Sequence, residues 1–119
     1  MRMRIRGALA AGEIELRMNR APAALGYYRQ AGKAAGEMVA GGAGQIGART
    51  DLARSQTGAA AANERLHQWR EALEGYGNAQ KTWSGLSGLN ALAPEDASQP
   101  QRMASAIMRC ERRLLAQVY

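Results

Sequence analysis

Residues 50–83 read TDLARSQTGAAAANERLHQWREALEGYGNAQKTW. Within this stretch Leu52, Ser55, Ala59, Ala62, Leu66, Trp69, Leu73, Tyr76, Gln80 and Trp83 follow one another at alternating intervals of three and four. That is the spacing of a helix that buries one narrow seam against other helices. The first half of the seam is small, with Gly58 beside Ser55, Ala59 and Ala62, so another backbone can come close. The second half is bulky and can anchor a core. Thr50 is placed to cap this helix, and Asp51 sits where the positive end of the helix dipole favours a carboxylate. The spacing predicts one long helix over 50–84.

Working outward, the 119 residues suit a single domain that buries roughly two-thirds of its unfolded surface. There is no Phe, and Ala, Gly and Leu supply most of the apolar share. Such a core buries little area per residue. This composition points to added stability from self-association or from a larger assembly. Sixteen Lys and Arg stand against ten Asp and Glu, a balance that suits nucleic acid or anionic membrane as partners. The single cysteine, Cys110, cannot form an internal disulfide and lies on the apolar side of the last helix. No signal peptide and no run of eighteen apolar residues is seen, so a soluble, reducing compartment such as the cytoplasm is the expected location.

Residues 1–6 alternate Met-Arg-Met-Arg-Ile-Arg, and Glu13 to Met18 alternate too, with Gly7 and Gly12 between them. A two-residue period is the mark of a strand with one wet face. The chain is therefore expected to open with a β-hairpin over 1–18, Arg2, Arg4 and Arg6 facing Glu13 and Glu15. A single helix through Ile5, Leu9 and Leu16 is the rival. Asn19 and Pro22 then suit the start of a helix over 20–40. Leu25, Tyr28, Gly32, Ala35 and Val39 form one side of it. Gly32, Gly36, Ala40, Gly44 and Ala48 form a face of small residues four apart, suited to a tight helix contact or to conditional membrane contact. The glycines at 41, 42, 44 and 47 predict a break. Residues 85–97 read as a connector, and a last helix over 98–119 carries the stripe Met103, Ile107, Cys110, Leu114 and Val118. The fold class expected is mainly α: a hairpin, then three helices forming a small bundle or threaded into an oligomer.

Motifs for chemistry are sparse. Gly42-Ala-Gly-Gln-Ile-Gly47 spells a dinucleotide fingerprint but lacks a strand before it. Gly85-Leu-Ser-Gly88 has its second glycine one place too early for a nucleophile elbow. His67 is the only histidine, off the seam and without the partners of a triad. One Cys and one His give no metal-ligand spacing. Glu71 and Glu74 lie one turn apart beside Arg70, a solvated arrangement. No catalytic residue, metal or cofactor is expected.

Two likenesses bear on role. The Gly/Ala-rich run from Ala31 to Gly47, leading into Ala60-Ala-Ala-Asn-Glu-Arg-Leu-His-Gln-Trp-Arg70, resembles helical segments of the internal virion and ejection proteins of tailed bacteriophages. That resemblance implies self-association and passage from a capsid into an envelope. Trp83-Ser-Gly85 resembles the turn of small secreted helical-hairpin proteins of the WXG type. The function expected is a non-enzymatic structural or assembly protein. Its docking seam is Leu52, Ala59, Ala62, Leu66, Trp69, Leu73, Tyr76 and Trp83, with copies of itself or a larger assembly as partner. The first alternative is a basic helical nucleic-acid-binding protein contacting phosphates through Arg2, Arg4, Arg6, Arg109, Arg112 and Arg113. The second is a secreted WXG-type protein.

Overall fold

The computed structural model describes residues 2–43 and 46–118. Five α-helices run through them: α1 (Arg2–Arg17), α2 (Ala21–Met38), α3 (Ile46–Arg65), α4 (Trp69–Gly88) and α5 (Gln99–Val118). A π-helical segment, Val39–Ala43, extends α2, and a 3-10 turn, Pro94–Asp96, precedes α5.

The expected β-hairpin is wrong. Its residues form α1, and no strand occurs among the described residues. The helical rival holds because Ile5, Ala8, Leu9 and Gly12 fall on one face, and all four are buried or touch a buried cluster against α2. Ala8-Leu-Ala-Ala11 is built of strong helix formers, which outweigh the short alternation at either end. Gly7 and Gly12 are not turn residues. A Cβ on Gly12 would stand 3.0 Å from the ring of Tyr28 on α2, so its smallness serves packing.

The single helix over 50–84 is also corrected. The ladder is cut at Leu66–Gln68, and its halves belong to α3 and α4. The break contains no Gly or Pro. His67 takes the left-handed conformation, φ 60°, while its N–H donates to Glu64 O and that of Gln68 donates to Asn63 O. This is the hydrogen-bond pattern of a Schellman cap. α1 ends the same way on Asn19 and α4 on Asn90. Asn19 thus closes α1 rather than opening α2. Thr50 lies inside α3, its hydroxyl donating to Ile46 O, and does not cap it. The predicted glycine break is centred on Gly42, φ 82°.

The helices alternate in direction. Tyr76 donates to Glu64, Thr82 to Gln56 and Trp83 Nε1 to Thr57, a register that makes α4 antiparallel to α3. Gly32 faces Ser55, and Gly58 lies under Tyr28, so α2 is antiparallel to α3 as well. α5 runs parallel to α3: Thr57 meets Met103, and Glu64 meets Arg109. The long ladder has therefore become two antiparallel helices with different partners: Ser55, Gly58, Ala59 and Ala62 of its small half turn to α2, while Leu73, Tyr76 and Trp83 of its bulky half pack with Ala53 and Ala60, on another side of α3, and with α5.

Three apolar clusters make the core. The largest surrounds Trp83, fully buried among Ala53, Ala60, Ala79, Met103 and Cys110. The second is built on Tyr28 and Leu25, with Ala24 and Ala62, and the third on Ile5, with Ala31 and Ala35. Each gathers alanines around a few large side chains: Tyr76, Trp83, Leu86 and Met103 in the first, Leu25 and Tyr28 in the second, Ile5 in the third. Close approach is tightest where a Cβ on Gly58 would overlap the Tyr28 ring, and where one on Gly75 would lie 2.9 Å from Ala60 Cβ.

Gly58→Ala should therefore lower stability by about 1–3 kcal/mol despite the better helix propensity of Ala. Gly77→Ala, with nothing within 4 Å of its Cβ, should raise it by up to about 1 kcal/mol. Urea unfolding of the two variants distinguishes a packing role from a merely tolerated glycine.

Candidate functional site

The expected seam is mostly spent inside the chain. Ala62, Tyr76 and Trp83 are buried, and Leu52, Ala59, Leu66 and Leu73 are half-buried against the three clusters. Trp69 is half-exposed at the α3–α4 turn, where His67 stacks on its ring at 5.0 Å and the Arg113 guanidinium lies 5.3 Å from the ring centroid. The small-residue face does not form one surface. Gly32 faces α3, Gly36 meets open space, Ala40 is exposed, and Ala48 is fully buried beyond the kink in a different helix. Gly44 lies outside the described residues.

The arginines expected to contact phosphates divide between two ends of the bundle. Arg4 and Arg6 are exposed on the first turns of α1, and the side chain of Arg2 lies outside the described ones. Arg109, Arg112 and Arg113 lie beside the far end of α3. Arg6 and Arg54 line one cleft, and Arg65 donates to Leu16 O, so α1 runs parallel to α3. Arg54 and Glu64 are ten residues apart, so roughly 15 Å of α3 separates the two groups. The proposed phosphate contacts are not brought together.

The best-organised polar group joins α3, α4 and α5. Arg109 grips Glu64 with Nε on Oε2 and Nη2 on Oε1, both at 2.9 Å, and Tyr76 OH donates to Oε1 at 2.7 Å. The Arg109 guanidinium holds the Glu64 carboxyl below its ordinary range, with the Tyr76 hydrogen bond adding to it. Burial and the Glu64 carboxylate push the Tyr76 phenol upward. Burial likewise raises the Cys110 thiol, which disfavours a thiolate. Both Glu64 oxygens are committed, and the group has no proton to give at neutral pH. Its chemistry is that of a clamp. An open cleft of about 450 Å³ beside it is lined by Thr57, Ala61, Tyr76, Met103, Ala106 and Arg109. A second clamp, Arg54 to Asp96 at 2.9 Å, ties the 3-10 turn to α3.

Sequence reading missed the partner role of Glu64. It also missed the outward side of α5, where Met108 is 54% exposed, Leu115 60% and Val118 75%. Only Met103, Ala106 and Cys110 of α5 are buried. A second apolar line seven residues apart, off the Met103 stripe, was the available signal. Ile14 on α1 and Met18, just past its end, are exposed four residues apart. Among the described residues no group of three or more His, Cys, Asp and Glu is placed to hold a metal ion, and no helix is long and apolar enough to cross a membrane.

Comparison with known families, curated proteins and solved structures finds no match to this chain.

The clamp predicts a pH response. Glu64 has a depressed folded-state value, so its contribution is fully present above the ordinary value of 4.5 and is lost as pH falls from there through the depressed one. Tyr76 has a raised value, so its contribution is present below 10.0 and is lost as pH rises further. Urea midpoints should fall on both sides of this window, and Glu64→Gln should flatten the acid limb. An acid limb unchanged by that substitution would show that the clamp does not act on stability.

Proposed function

We propose that this chain is a non-enzymatic structural or assembly protein that acts by packing helix faces against copies of itself or a larger assembly. The proposal rests on apolar side chains left outside a core that is already closed. A scattered exposed Leu is ordinary in any protein. Here Met108 and Leu115 share one line on α5, and Ile14 on the last turn of α1 lies four residues from Met18, just past its end. Aligned apolar residues of this kind suit association. The docking surface proposed here differs from the one expected, since most of the seam from Leu52 to Trp83 packs inside the chain.

The Gly/Ala texture of 31–47 and 60–70 supports a phage virion as the setting. The nucleic-acid alternative is weakened by the separation of Arg4 and Arg6 from Arg112 and Arg113, and by the commitment of Arg109 to Glu64. Light scattering over a wide concentration range should show mass rising with concentration. Titration with duplex DNA at two salt concentrations should show no steep loss of affinity with salt. A constant monomer mass together with strongly salt-dependent DNA binding would overturn the proposal.

A further inference from the structure

Resting on the assembly reading, we infer that the outward face of α5 pairs with α5 of a second copy, the two helices running parallel about a two-fold axis. With each residue turned by about 100°, Met108 and Leu115 fall on one line along the helix, and Glu111 and Arg112 lie about 50° to either side of it. Ala104, half-buried and small, continues the line towards the start of α5. The line points nearly opposite to Met103, Ala106 and Cys110, the residues that hold α5 to the bundle. Two bundles can therefore sit on opposite sides of the paired helices without collision.

Charge decides the direction. In a parallel pair each flank of one helix meets the other flank of its copy, as in parallel coiled coils. Arg112 of each chain then meets Glu111 of the other, twice over, with Met108 against Met108 and Leu115 against Leu115. In an antiparallel pair each flank meets its own copy. The flank of Arg112 carries Ser105, Arg109 and Ala116 and no carboxylate, so no antiparallel register supplies an ion pair. Neither Glu111 nor Arg112 makes an ion pair within the chain among the described residues. Both are exposed, which leaves them available.

Two large apolar side chains on each helix make a small contact, so the dimer is weak. Sedimentation of the full chain from micromolar to millimolar concentration measures it. Glu111→Arg and Arg112→Glu should each weaken self-association about tenfold by placing like charges together, with helical circular dichroism unchanged. An equimolar mixture of the two variants should associate again, because every cross-pair is then attractive. Leu115→Cys in a Cys110→Ala background should cross-link to itself under mild oxidation. Association unchanged by either reversal, or a mixture that stays apart, overturns the α5 pairing and leaves the broader assembly reading standing on another surface. A chain that stays monomeric to millimolar concentration overturns the pairing and self-association together, leaving only a different protein as partner.

Discussion

The fold depends on α3 being thin. Its buried positions include Ala48, Ala53, Ser55, Gly58, Ala60 and Ala62, none of them large. A helix with such a surface lets neighbours approach on several sides, since the distance between axes is set by the side chains at the contact. α2 brings the Tyr28 ring over Gly58, and α4 brings Gly75 to Ala60 and Trp83 to Thr57. The large side chains come from the neighbours and fill what α3 leaves open. Alanine alone could not supply this core, because each buries little area. The few large side chains in each cluster compensate, and Trp83 is fully buried with its indole N–H satisfied by Thr57.

Much of this was legible in the ladder from Leu52 to Trp83. Its small half lies against α2, and Tyr76 and Trp83 of its bulky half are buried. What was not legible is that the two halves belong to different helices and meet different partners. A three-residue turn leaves the three-four spacing intact, because Ala62, Leu66, Trp69 and Leu73 count on across it. Glycine and proline mark most helix ends, but this one ends on His67, which tolerates the left-handed region better than most residues. Asn19 and Asn90 end their helices with the same geometry, and asparagine there is a recognisable sign. Read together, the three positions show that local alternation and seam spacing report which faces are buried but not where the chain reverses.

The first eighteen residues teach the converse. Alternation over six residues at each end looked like strands, yet a strand pair needs partners to survive in water. Nothing else in the chain offers a sheet. Ile5, Ala8 and Leu9 on a helix find α2, and Ile5 becomes almost fully buried. The tertiary partner outweighed the local pattern. The same change of geometry moved Arg4 and Arg6 to the end of the bundle opposite the α5 arginines, which no reading of charge along the chain could show.

Much of the positive charge is spent holding helices together. Arg54 binds Asp96, Arg109 binds Glu64, Arg65 donates to the Leu16 carbonyl, and Arg113 lies over Trp69. Each of these joins segments distant in sequence, and three of the four tie α5 or the turn before it to the α3–α4 hairpin. α5 needs them because it buries only Met103, Ala106 and Cys110. Exposed ion pairs contribute little singly, but a bidentate arginine fixes orientation as well as distance. With its inner side clamped in this way, α5 is held at a set rotation. The line through Met108 and Leu115 therefore faces outward by construction, flanked by Glu111 and Arg112. The arginines that dock α5 inward thus set which residues it offers outward.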